Sequence, residues 1–206
     1  MNNFCSPRCS SNCSRRRFFL RSMVTLAGLG LLGKSTSLRA IIPRNIINND
    51  EDIFSELDSQ VDTYFPKFRT CSQTSFYALN NVFHLEGDQV ARSLAAMPGV
   101  ASRGETCGAV SGSLLAIALV YEESLFDEEG KKSLEPSFRF CELFEKEFGS
   151  TRCRDVIFHV TGKRYEITQP EDYNTLRQEG AYVHCADVVK SATHFAASVI
   201  LEKQET

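Results

Sequence analysis

The segment "GETCGAVSGSLLA", residues 104–116, places Cys107 at the start of a run made almost entirely of small and apolar residues. The apolar spacing predicts a buried helix, although each glycine costs a helix about 1 kcal/mol relative to alanine. Gly108 and Gly112, both within about one turn of a thiol, therefore need a reason. We expect the small residues after Cys107 to let backbone N–H groups beside it approach a second thiol or a cofactor sulfide closely, with close packing of another helix as the alternative.

The rest of the chain after residue 52 has apolar residues mostly at helical spacing. The apolar spacing predicts seven helices. They are a stripe from Phe54 to Phe65 ended by Pro66, a helix over 70–85 capped by Thr70, a helix from Asp88 closed by Pro98-Gly99, the helix of the opening segment capped by Thr106, a helix over 136–148 ended by Gly149, a short helix over 153–160, and a final helix over 184–203. We therefore predict an all-α fold, a single compact multi-helix domain over residues 53–206. A linker over 41–52 and an N-terminal signal over 1–40 precede it.

Residues 1–40 contain seven Lys and Arg residues and no acidic residue. Arg16 and Arg17 precede a short apolar stretch over 23–32, which resembles a twin-arginine export signal. The stretch is shorter than the about 20 apolar residues that cross a bilayer. We expect export through the twin-arginine route to a periplasmic or other extracytoplasmic location. A basic surface helix and an uncleaved anchor are the alternatives. Such signals are associated with proteins that fold around a cofactor before export.

Residues 41–206 have 16 Lys and Arg against 26 Asp and Glu, a net charge of −10. So acidic a domain is a poor partner for nucleic acid or for an anionic membrane surface. Neither is expected as a partner, and no membrane span is expected in the mature domain.

Five cysteines lie in the predicted domain. Cys141 lies among phenylalanines and is expected to pack as a small apolar residue in the core. The other four each fall in the predicted first turn of a helix, where unpaired N–H groups and the helix dipole favour a thiolate and lower its pKa. We expect these helix starts to converge on one site formed by Cys71, Cys107, Cys153 and Cys185.

The order Cys71, then Cys107-Gly-Ala-Val-Ser-Gly112, then Cys153 and Cys185 resembles the C_GCAxxG_C_C family of redox-active proteins. The resemblance covers about residues 68–200, and it implies a redox role in which the four cysteines form the site. The additional Cys141 departs from the family pattern. We assign the four cysteines and Gly108 to cofactor binding, and we assign no catalytic residue.

Four kinds of cysteine chemistry remain open from the sequence. The leading hypothesis is an electron-transfer protein or oxidoreductase in which the four thiolates bind an iron–sulfur cluster, although the close C-x2-C pairing of ferredoxins is absent. The alternatives are dithiol–disulfide chemistry, structural disulfides and a structural zinc site. The redox partner is unidentified and homo-oligomerisation is left open. Three further cysteines in the leader are interpreted as incidental, with metal binding as the alternative: Cys5, Cys9 and Cys13.

Overall fold

The computed structural model describes residues 50–121 and 134–205. It contains eight helices within those ranges: α1 (Asp50–Phe68), α2 (Cys71–Phe83), α3 (Asp88–Ser93), α4 (Gly108–Val120), α5 (Glu135–Phe148), α6 (Cys153–Thr161), α7 (Pro170–Gln178) and α8 (Ala181–Glu205). A 3-10 turn over Leu94–Ala96 follows α3. These ranges hold no β-strand, so the all-α prediction is confirmed. The predicted signal, its cysteines and most of the linker lie outside the described residues.

Helix α4 lies at the centre of the fold, between α2 and α8, and α1 packs against both of these neighbours. It is apolar on nearly every side, as expected for a helix surrounded by protein. Its buried Ser113 donates a hydrogen bond to the carbonyl of Ala192 in α8, with a length of 3.4 Å. The largest fully buried side chains of the core include Phe76, Phe140, Phe144, Leu57 and Leu79.

Helix α1 differs from its predicted limits at both ends. It begins at Asp50, where three acidic residues in the first turn complement the positive end of the helix dipole. The prediction that Pro66 ends the helix is wrong, because α1 continues to Phe68. The exposed proline removes a single hydrogen bond near the helix end, while Leu57 and Phe65 remain buried against the core.

The limits of two other helices bear directly on the cysteines. The final helix begins at Ala181 rather than at 184, because Gly180 with φ +75° ends the preceding turn. Helix α4 has Cys107 itself as its N-cap, so the prediction that Thr106 caps it is wrong by one residue. The predicted limit at Gly149 is correct, since that residue has φ +76° directly after α5.

Residues Gly99–Ser102 form a left-handed turn, because all four have φ between 49° and 59°. Only glycine adopts such angles without steric cost, so Val100 and Ala101 are strained. The turn follows Pro98 and leads into the segment before α4. It therefore lies on the path between α3 and Cys107.

None of the helices in the described ranges is long and apolar enough to cross a membrane.

Candidate functional site

Cys71 is the first residue of α2. Thr70 is the N-cap, as predicted, with extended angles of φ −134° and ψ 124°. Its hydroxyl donates to the side-chain oxygen of Gln73 at 2.9 Å rather than accepting from a backbone N–H. Arg69, in the left-handed region at φ 54°, turns the chain from α1 into α2. The close succession of two helices places Cys71 at an end of the bundle.

Cys107 and Cys153 are held by a short antiparallel pairing of the segments that precede their helices. Thr106 and Arg152 form the bridge between the two segments. The N–H of Cys107 donates to the carbonyl of Thr151 at 2.8 Å, and the N–H of Cys153 donates to the carbonyl of Glu105 at 2.6 Å. The pairing fixes the two helix starts side by side, and nothing in the apolar periodicity indicates it.

An arginine strengthens the same pairing. Arg154 donates from its backbone N–H and from Nε to the carbonyl of Gly104, at 3.2 and 3.1 Å. Its Nη2 lies 2.8 Å from the carboxylate of Glu105. Hydrogen bonds from the residue next to Cys153 thus reach the loop that leads to Cys107.

Cys185 lies in the second turn of α8, so the prediction that all four cysteines occupy a first helical turn is wrong for this one. The four nevertheless come together. The thiol of Cys71 is hydrogen-bonded to the sulfur of Cys185, and the charges of Cys107 and Cys153 also act on Cys71. The pKa of Cys107 and of Cys153 responds to Cys185 in turn.

The hydrogen bond between two of the thiols separates their pKa values. It lowers the pKa of Cys185 because the Cys71 S–H stabilises the neighbouring thiolate. The same bond, followed by burial and by the charges of the other thiolates, raises the pKa of Cys71 well above its usual value of 9.0. The pair therefore releases its first proton far more easily than its second.

The remaining two thiols hold their protons more tightly than the sequence predicts. Burial raises the pKa of Cys107 to about 12, although the N–H groups of Ala109 and Val110 act in the opposite direction. Burial also raises the pKa of Cys153, with a smaller lowering effect from Arg154. The prediction that helix starts lower the thiol pKa is thus wrong for Cys71, Cys107 and Cys153. The hydrogen bond with Cys185 raises the pKa of Cys71 most, whereas desolvation dominates for Cys107 and Cys153.

Gly108 and Gly112 let α4 lie directly against α2. A Cβ at Gly108 would lie 2.9 Å from the backbone nitrogen of Ser72 and 3.1 Å from the Cβ of Cys71. At Gly112 a Cβ would lie 2.3 Å from the carbonyl oxygen of Ser72. Close helix packing, one of the two explanations for the glycines, is therefore present, and at Gly108 it involves the neighbouring cysteine.

The left-handed turn contributes a third glycine to the site. A Cβ at Gly99 would lie 3.2 Å from the sulfur of Cys153, so the backbone of the turn packs against this thiol. In the sequence, the one sign of this turn is the pair of glycines Gly99 and Gly104. Both of them have positive φ in the structure.

A cavity of about 60 Å³ adjoins the thiols. Cys71, Cys153 and Cys185 line it together with Arg69 and Tyr173, and the rest of its wall is largely apolar. A group that entered the cavity would meet three sulfurs.

The five described cysteines are all free thiols. Over residues 50–121 and 134–205, no group of three or more His, Cys, Asp or Glu side chains is placed to hold a single metal ion. Cys141 is half-buried in α5 and packs against the main core, as predicted. Its pKa is raised by burial and then by Glu145, with no contribution from the other thiols.

The fold and site together define an all-α protein with four thiols gathered at one end of a helical core. A family model described as "Putative redox-active protein (C_GCAxxG_C_C)" matches residues 69–199. The chain belongs to this family, and the match supports a redox role. Searches of curated proteins and of solved structures gave no match.

Proposed function

We propose that the chain is an electron-transfer protein that binds an iron–sulfur cluster through Cys71, Cys107, Cys153 and Cys185. The observation that carries the proposal is the convergence of these four thiols from four separate helices. Their separations in sequence are wide, so a core that brings them together needs a reason beyond packing.

The donor set fits this cofactor. Thiolates are the preferred ligands of iron–sulfur clusters, and four of them suffice for either common cluster type. A single zinc ion needs four ligands around one point, whereas the thiolates of a cluster bind different irons. When bound, the cluster supplies reversible one-electron transfer.

The residues around the thiols would determine how readily that transfer occurs. The N–H groups of Ala109 and Val110 point toward the Cys107 sulfur, and hydrogen bonds to ligand sulfurs raise the reduction potential of a cluster. Only 4% of Cys107 is exposed, so water has little access to its sulfur. Because three thiols have raised pKa values, ligation must displace their protons, and binding should strengthen with rising pH.

Anaerobic purification of the full chain tests the proposal. We expect a brown protein with broad visible absorption and with iron and acid-labile sulfide in matching amounts. Serine at any one of the four cysteines should reduce both. Cys141→Ala is the matched control, because it removes a thiol outside the site and should leave the spectrum unchanged. A colourless wild-type protein without iron would contradict the proposal.

One observation favours a second function. The direct contact between Cys71 and Cys185, with the Cys185 pKa lowered, is the arrangement expected of a dithiol that forms a disulfide. Its oxidation would transfer two electrons and release two protons to an acceptor such as another disulfide. Thiol counting on a colourless protein before and after oxidation would identify this chemistry by the loss of two thiols that reductant restores.

Export through the twin-arginine route remains part of the proposal. It is supported by the arginine pair and the acid-free composition of residues 1–40. Cofactor insertion before export would explain why a cytoplasmically assembled cluster and such a signal occur in one chain.

A further inference from the structure

A second cavity, of about 360 Å³, lies beside the paired segments that hold Cys107 and Cys153. Three arginines line it: Arg103, Arg154 and Arg164. Ile167 lines both this cavity and the smaller one that adjoins the thiols, so one side chain is shared between their walls. The volume is within the range of sites for small organic molecules.

Two of these arginines have no ion-pair partner in the part of the chain that the structure describes. Arg154 is paired with Glu105 at 2.8 Å. Within residues 50–121 and 134–205, neither Arg103 nor Arg164 forms an ion pair. Both side chains are exposed, so an anion can reach them from solvent.

The side chain of Arg164 and the backbone of Arg103 are each restrained by a contact. The guanidinium of Arg164 lies 4.3 Å from the ring centre of Phe158, which restrains it without cancelling its charge. The backbone of Arg103 is fixed because its carbonyl accepts a hydrogen bond of 3.0 Å from Arg154. The restrained guanidinium of Arg164 loses little freedom when it binds, and the planar donors of both arginines match the geometry of phosphate oxygens.

The lining of the cavity also includes two carboxylates, those of Glu166 and Asp172. Asp172 accepts the N–H of Glu166 at 2.8 Å, and the Glu166 carboxylate accepts the hydroxyl of Thr168 at 2.6 Å. These carboxylates would repel a second anionic group but can accept hydrogen bonds from hydroxyl groups. A ligand with one compact oxyanion and neighbouring hydroxyls complements both the arginines and the carboxylates of this lining.

We propose that this cavity binds a small phosphorylated molecule, with its phosphate held by Arg103 and Arg164. The site does not depend on the chemistry of the thiols. It is one side chain away from the thiol cavity, so a bound ligand would lie next to the start of α6, which carries Cys153.

Calorimetric titration of the full chain tests the site with inorganic phosphate, glycerol 3-phosphate and glycerol as probes. We expect saturable binding of both phosphates at one site, tighter for glycerol 3-phosphate, weaker at high salt, and absent for glycerol. Arg103→Gln and Arg164→Gln should each weaken binding about tenfold, because each removes a charged hydrogen-bond donor.

Arg92→Gln is the matched control, since it removes one exposed arginine from α3, away from the cavity. Equal weakening in this variant would mean that the phosphates respond only to overall charge, and it would overturn the proposal. The proposal would also be overturned if wild-type protein, shown by circular dichroism to be folded, bound neither phosphate. It would likewise be overturned if phosphate binding were unchanged in both cavity variants. Circular dichroism of each variant separates loss of the site from loss of the fold.

Discussion

Replacing Gly112 by alanine tests how closely α4 approaches α2. The added Cβ would lie 2.3 Å from the carbonyl oxygen of Ser72 and 2.1 Å from the hydroxyl of Ser75. Ordinary contact begins at 3.4 Å, so the carbonyl and the Cβ must separate by about 1.1 Å, the difference between 3.4 and 2.3 Å. The Ser75 hydroxyl can rotate away, but a helix carbonyl moves only with its helix.

The two energetic effects of this substitution have opposite signs. Overpacking a close contact costs up to about 3 kcal/mol, while alanine in place of glycine favours a helix by about 1 kcal/mol. We therefore expect the free energy of unfolding to fall by about 2 kcal/mol. Because Cys107 is the N-cap of the same helix, the shift should also move its sulfur relative to Cys71 and reduce iron content.

Urea unfolding of the full chain, followed by circular dichroism, measures this change. Gly149→Ala is the matched control, because a Cβ there meets no atom within 4 Å and only the φ of +76° opposes it. That backbone strain costs about 1 kcal/mol. Adding Ser75→Ala to Gly112→Ala should recover only part of the loss, since the carbonyl contact remains. A Gly112→Ala protein at least as stable as the Gly149→Ala protein would refute the close packing.

Three further predictions concern the thiols and the leader. If the site binds the proposed cluster, Gly108→Val should remove much of the visible absorption while every thiol remains countable, because the branched side chain meets Ser72 and Cys71; a full cluster in this variant would show that the glycine is not needed by the site. The reduced, metal-free protein should become less stable between pH 9 and 12, because the folded state raises the pKa of Cys107 from 9.0 to about 12 and the unfolded chain releases this proton first. Cys107 alone should account for a loss that approaches about 1.4 kcal/mol per pH unit above pH 9, and Cys71 and Cys153, whose pKa values are also raised, should add to it. Urea unfolding at pH 8, 9 and 10 measures the loss, and a flat or rising profile would contradict the prediction. Replacing Arg16 and Arg17 by lysine should retain the protein in the cytoplasm, as followed by fractionation; unchanged export would count against a twin-arginine address.

The sequence was sufficient to predict the helical class and which cysteines lie together. Apolar spacing predicted the long helices because their buried stripes repeat at 3.6 residues, as in α5 with Phe140, Phe144 and Phe148. The four cysteines could be grouped because each followed a helix-start signal. Cys141 lacked such a signal and lay among phenylalanines.

The details that set the chemistry of the site could not be predicted in the same way. Whether burial or backbone N–H donors dominate the pKa of a thiol depends on how deeply its sulfur is buried. The spacing of apolar residues in the sequence does not show this. The pairing of Thr106 with Arg152 joins residues 46 positions apart without any alternating pattern. The start of α8 depended on the positive φ of Gly180, which a single glycine does not reveal.

The left-handed turn is where local preference and tertiary structure disagree most. Val100 at φ 49° is β-branched, and left-handed geometry costs such residues about 1–2 kcal/mol each. The turn is maintained because the carbonyl of Pro98 accepts one N–H and the carbonyl of Gly99 accepts two, at 2.7 to 3.1 Å. It places Gly99 against the sulfur of Cys153 and Pro98 within 3.3 Å of a Cβ at Gly108. Strained backbone that persists beside reactive groups is typical of functional sites, because the surrounding structure must over-determine it. The backbone strain therefore supports the inference that the thiols form a functional site. This support is independent of the cysteine pattern in the sequence.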